Sequence, residues 1–96
     1  MRTIKLMADY QCFPLWEAAP GEVGNIDPKD LPISLALRDA LTAWAAKFDA
    51  TLNMDDPVNS GFGSDEEADK FRKEGAVLAR RLQDELGAAY RVTKKL

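Results

Sequence analysis

The stretch from Ser64 to Gly87 constrains the fold more than any other part of this 96-residue chain. Phe71, Gly75, Leu78, Leu82 and Leu86 recur at spacings of 4, 3, 4 and 4, which puts them on one stripe of an α-helix. Ser64-Asp65-Glu66-Glu67 is a capping box, with Ser64 at the N-cap and Glu67 at N3. Gly87 suits the left-handed position that ends a helix. Acids gather at the start of the segment, and Arg80 and Arg81 stand near its end, which complements the helix dipole. The pattern predicts a helix over 65–86. Its apolar stripe needs a second layer to cover it.

Part of that layer is a second stripe. Leu37, Leu41, Trp44, Phe48 and Leu52 follow at 4, 3, 4 and 4, behind a good N-cap at Ser34. Ala40, Ala43, Ala45 and Ala46 raise the helix propensity between them, so a helix is expected over about 34–51. The remainder is a sheet. Residues 3–10 alternate, with Ile4, Leu6 and Ala8 on one face and Thr3, Lys5, Met7 and Asp9 on the other. Phe13 to Glu17 forms a second short strand. Pro14 has no amide hydrogen to give a ladder, so it belongs at an edge or at the strand start. Ala19-Pro20-Gly21-Glu22 is a turn, after which residues 22–26 can return as another strand. Asp27 and Leu31 precede prolines and are expected to be extended. Residues 53–63, rich in Asp, Asn, Ser, Pro and Gly, read as a loop. Tyr90 to Leu96 alternates as a closing strand.

The expected fold is therefore α+β in a single domain spanning 1–96. It has a small antiparallel or mixed sheet, with strands near 3–10, 13–18 and 89–95 and an optional one at 22–26. The two helices pack on one of its faces.

Composition then limits the function. The chain has no histidine and a single cysteine, Cys12. No intramolecular disulfide, Cys/His zinc site, Ser-His-Asp triad or Cys-His pair can form. Sixteen acids against thirteen bases give a net charge of −3. That disfavours sequence-independent nucleic-acid binding and polybasic membrane contact, both of which need a basic footprint. Residues 1–10 alternate rather than forming an apolar block, and no small-residue cleavage site follows, so no signal peptide is expected. No apolar run approaches the roughly 18 residues of a membrane helix. The expected location is the cytoplasm.

The charge is uneven. Residues 1–63 hold five bases and nine acids, a net −4, whereas residues 64–96 hold eight bases and seven acids, a net +1. The acidic excess thus lies in the hairpin and loop regions, where binding residues concentrate. It suits a surface that attracts a basic partner. Asp9 to Trp16 is the densest chemical cluster. One reading of this segment buries Phe13 and Trp16 under the helices and makes Cys12 a small buried hydrophobe. We expect that for Trp16 and Cys12, and carry Asp9 and Tyr10 as binding residues. Asp49, Asp55 and Asp56 are oxygen donors of the kind magnesium and calcium take, but they lack the spacing of a calcium hand. Neither a metal nor a cofactor is expected. The candidate partner-binding residues are Asp9, Tyr10, Glu17, Glu22, Asp49, Asp55 and Asp56.

Ile4–Trp16 (IKLMADYQCFPLW), Gly24–Pro32 (GNIDPKDLP), Leu41–Pro57 (LTAWAAKFDATLNMDDP) and Ser60–Phe62 (SGF) resemble stretches of a set of small, uncharacterised bacterial proteins. In size, acidity and lack of catalytic groups the chain also resembles immunity proteins of contact-dependent growth inhibition and polymorphic toxin systems. That resemblance implies a non-enzymatic cytoplasmic inhibitor that binds a toxin domain, often a basic nuclease. Two alternatives stand beside it: an adaptor or subunit for an ordinary cellular protein, and a carboxylate- or metal-dependent enzyme.

Overall fold

The computed structural model describes residues 2–19, 21, 24–51 and 61–96. Strand β1 spans Arg2–Leu6, β2 Leu15–Glu17, β3 Asn25–Ile26 and β4 Tyr90–Lys94, and the helices are α1, Leu35–Asp49, and α2, Asp65–Leu86. The sheet order is β3-β2-β1-β4. Neighbours β3–β2 and β2–β1 are antiparallel, whereas β1 and β4 run parallel, so the sheet is mixed. The parallel pair brings the two ends of the chain together, and both helices lie in the crossover between them.

Register decides which side chains meet the helices. Ile4 pairs with Glu17 and Val92, Leu6 with Leu15 and Lys94, and Leu15 with Ile26. Paired residues share a face, so Ile4, Leu6, Leu15, Ile26 and Val92 look the same way. Buried Leu37, Leu41 and Trp44 of α1 and Phe71, Leu78, Ala79, Leu82 and Leu86 of α2 join the first four in one core, and Val92 packs against it. Two helices on one face of a small sheet is the architecture the periodicities predict.

Local signals explain the helix ends. Ser34 accepts from the Leu37 amide at 3.1 Å, and Ser64 accepts from the Glu67 amide at 3.2 Å. The reciprocal half of the capping box is displaced by one residue: Glu67 accepts from Gly63, at 3.1 Å, instead of from Ser64. Gly87 has φ 75°, and its amide donates to the Gln83 carbonyl. Asp27 and Leu31 are extended as expected, with a single 3-10 turn, Pro28–Asp30, between them.

Several boundaries differ from the sequence expectation. β1 stops at Leu6, not Tyr10. The Met7 amide still reaches the Pro14 carbonyl at 2.9 Å, but the chain then turns out of the sheet through Gln11, at φ 59°. β2 begins at Leu15, directly after Pro14, and ends at Glu17 instead of 18; β3 is only Asn25–Ile26, and β4 spans Tyr90–Lys94 against an expected 89–95. α1 ends at Asp49, not 51, because the Phe48 carbonyl is taken by both the amide and the hydroxyl of Thr51, at 3.0 and 2.6 Å. Glu22 and Leu52 lie outside the described residues.

The helices are locked together by Trp44. Its ring stacks on Phe71 with centroids 4.4 Å apart and planes within 6°, and its Nε1–H donates to the Phe71 carbonyl at 3.0 Å. Gly75, one turn further along α2, is what lets the indole lie so close. A Cβ there would stand 2.7 Å from Trp44 Cζ2 and 2.8 Å from Leu96 Cδ2. Gly75→Ala is therefore expected to destabilise the protein, although Ala is the better helix former by about 1 kcal/mol. In a Trp44→Leu background the same change should become neutral or stabilising, and urea melts of the four-member cycle measure that coupling. Leu82, fully buried, is expected to cost about 2–5 kcal/mol when cut to Ala; a loss under about 0.5 kcal/mol would place it outside the core.

Candidate functional site

The loop between β1 and β2 folds back onto the C-terminal end of α1. Tyr10 stacks on Phe48 with centroids 4.5 Å apart, and its hydroxyl lies 3.0 Å from Thr51 Oγ1. Asp49 accepts the Gln11 amide at 2.9 Å, which holds Gln11 in the left-handed region. Residues other than Gly, Asn and Asp seldom adopt that region without such support. Asp9 accepts the amide of Tyr10 at 2.8 Å. The Gly61 amide donates to the Thr51 carbonyl at 2.9 Å, so Gly61 lies beside the end of α1.

Three of the seven candidate residues, Asp9, Tyr10 and Asp49, are thus gathered at one end of the molecule. Glu17 is not among them. It sits toward the opposite end of the β1–β2 pair, opposite Ile4, and accepts from both Nε (3.0 Å) and Nη2 of Arg2. That hydrogen bond is the largest influence raising the Arg2 guanidinium above its usual range. Glu22, Asp55 and Asp56 lie outside the described residues.

The aromatic cluster is corrected in part. Trp16 is not under the helices. Leu15 faces them, so by alternation Trp16 must face the other way. It lies half-buried on the helix-free face, with Nε1–H donating to the Met7 carbonyl at 2.9 Å. Phe13 is not core either, being 46% exposed. Cys12 is half-buried, not enclosed.

Phe13 is held in place by one side chain. The Phe13 amide donates to Asn25 Oδ1 at 2.8 Å, and Asn25 Nδ2 donates to the carbonyls of Phe13 at 2.6 Å and Leu15 at 2.9 Å. The ring borders two grooves. One, of about 370 Å³, runs from Gln11 and Cys12 to Asp49; the other, of about 390 Å³, is shared with Pro28, Leu35, Asp39 and Thr42. Leu35, at the start of α1, is 71% exposed. The sequence carried a signal for it, since Leu35 is off the Leu37–Leu41–Trp44 stripe. Nothing comparable marked Asn25, whose role depends on a pairing between β2 and β3.

These parts define a class: a small α+β domain whose described surface offers carboxylates and apolar side chains on a rigid frame. The chain belongs to the Serratia CdiI immunity protein-like family, which matches it over residues 2–94. No curated protein matches it. Among the described residues, no helix is long and apolar enough to cross a membrane, and no group of three or more His, Cys, Asp or Glu side chains could hold a metal ion.

The position of Asp49 yields a prediction. A negative charge at the C-terminal end of a helix opposes the helix dipole. Asp49→Asn keeps the acceptor for Gln11 and removes that charge, so it should match or exceed the parent in urea melts. Asp49→Ala removes the charge as well but loses the acceptor, so it should fall about 0.5–1.5 kcal/mol below Asp49→Asn, the usual net worth of one hydrogen bond.

Proposed function

We propose that this chain is an acidic immunity protein that binds a cognate toxin in the cytoplasm and neutralises it without catalysis. The observation that carries this reading is the family match along residues 2–94. We propose further that the toxin is a basic nuclease and that inhibition works by covering its active site. A nuclease gathers Lys and Arg where the substrate phosphates sit, and a surface of carboxylates is drawn to the same potential. Asp9, Tyr10 and Asp49 at the end of α1 would belong to that surface, with Glu17, Glu22, Asp55 and Asp56 adding to the charge that steers approach.

The test takes as candidate toxin a domain encoded by a reading frame next to this one. Its association rate with this chain should fall as NaCl rises from about 50 to 500 mM, because exposed charges are screened beyond about 8–10 Å at physiological ionic strength. Reversal of two acids, Asp55→Lys with Asp56→Lys, should slow association further, with thermal melts run alongside to follow folding. An association rate indifferent to both salt and charge reversal would reject the basic-partner reading. Toxin activity undiminished by saturating amounts of this chain would reject inhibition itself.

A further inference from the structure

We infer that Phe13 and Leu35 form the apolar centre of the toxin-docking surface. We assign to the groove between them an apolar side chain of the toxin flanked by lysines or arginines. This rests on the toxin-binding reading above and adds the residues that anchor it.

Four observations converge here. Phe13 and Leu35 are two of the four large apolar side chains most exposed among the described residues, and both border the 390 Å³ groove. Leaving such side chains in water forgoes burial that the domain could have used. Phe13 is also pre-positioned. The Asn25 carboxamide takes both its backbone amide and its carbonyl, so the segment that carries the ring is already ordered before any partner arrives. Pre-ordering cuts the entropic cost of binding. Large side chains at the centre of an interface carry most of the affinity.

Charge selects the occupant. The two grooves flanking Phe13 present Asp27, Asp39 and Asp49, and their basic residues are Lys29 and Arg38. Arg38 is turned inward: its Nη2 lies 3.4 Å from the Leu31 carbonyl and its Nε is buried. Over the two grooves together three carboxylates stand against Lys29 as the one outward-turned base, an excess that comes from Asp49 and the inward turn of Arg38 and that fits a basic partner. Val77, also exposed, does not fit the same partner. Val77 borders a groove between α1 and α2 whose rim holds Lys47, Lys70 and Lys73 against Glu74. It also borders the cleft between α2 and β4, which holds Arg80, Arg81 and Lys94 against Asp84.

The experiment measures binding of the same toxin domain to the full chain and to Phe13→Ala, Leu35→Ala and Val77→Ala. Phe13→Ala should weaken binding by roughly 30-fold or more, mainly through faster dissociation, as expected at the hot-spot threshold. Leu35→Ala should weaken it at least several-fold, and Val77→Ala should leave it unchanged. A second measurement needs no substitution. Cys12 lines the groove beside Phe13, so its alkylation by iodoacetamide should slow when the toxin is bound. If the parent chain binds the toxin while Phe13→Ala binds equally well, or while Cys12 stays as reactive as in the free chain, this surface is wrong and the inhibitor reading stands. If the parent chain does not bind the toxin at all, both fall.

Discussion

Trp44 lying flat against Phe71 and Gly75 is the contact on which the rest of the structure depends. It sets how closely α1 approaches α2. A helix pair at that separation presents two adjacent apolar stripes, and together they cover the face carrying Ile4, Leu6, Leu15 and Ile26. The indole hydrogen bond to the Phe71 carbonyl adds direction to a contact that is otherwise apolar. The stacking continues outward. Phe71 lies 5.0 Å from Phe62 and 5.8 Å from Phe48, and Phe48 stacks on Tyr10. A row of rings thus runs from the core to the β1–β2 loop, and the placement of that loop follows from helix packing.

The edge of the sheet is managed by a single polar side chain. The Lys95 amide donates to the Leu6 carbonyl at 2.9 Å, so residues 91, 93 and 95 turn their backbone groups toward β1, and 90, 92 and 94 turn theirs outward. Gln83 of α2 meets that outward row. Its Nε2 donates to the Tyr90 carbonyl at 2.9 Å, and its Oε1 accepts from the Val92 amide at 2.9 Å. The carboxamide stands in for a short piece of a fifth strand. An unpaired edge invites pairing with other chains, and Gln83 already occupies two groups of this one. Asn25 does similar work at the other side of the sheet, where it closes the backbone of Phe13 and Leu15.

Legibility in the sequence followed the range of each interaction. Both helices were readable because their stripes, caps and terminating residues fall within a few positions of one another. The α+β class followed, because short alternating segments at both ends of the chain leave little else for the stripes to cover. What escaped was set by partners distant in sequence. β1 ends early because Asp49, 38 positions from Gln11, holds a turn no local signal announces. Trp16 and Cys12 look like core on residue type alone. The alternation around Leu15 already forbade Trp16 from sharing its face, so that error came from weighting residue type above period. Phe13 was a different case, since its exposure depends on Asn25 and on the approach of β3. Of the candidate site, the gathering of Asp9 and Tyr10 was legible from adjacency, whereas their meeting with Asp49 required the loop to fold back.

A domain of 96 residues buries a smaller fraction of its surface than a larger one and has little stability to spare. Its departures from folding logic are therefore informative. Leu35 begins a helix whose stripe it does not join. Phe13 stands in water on a backbone that three hydrogen bonds to one side chain keep in place. Asp49 puts a negative charge where the dipole of α1 disfavours one, yet its carboxylate fixes the turn at Gln11. An uncharged acceptor could fix that turn as well, so the hydrogen bond accounts for the side chain's geometry but not for its charge. Folding likewise supplies no reason for two large apolar groups to stand exposed on one groove. These features share one side of the molecule, from the end of the β1–β2 loop to the start of α1. A recognition surface asks for all of them at once: ordered backbone, exposed apolar area and unneutralised charge.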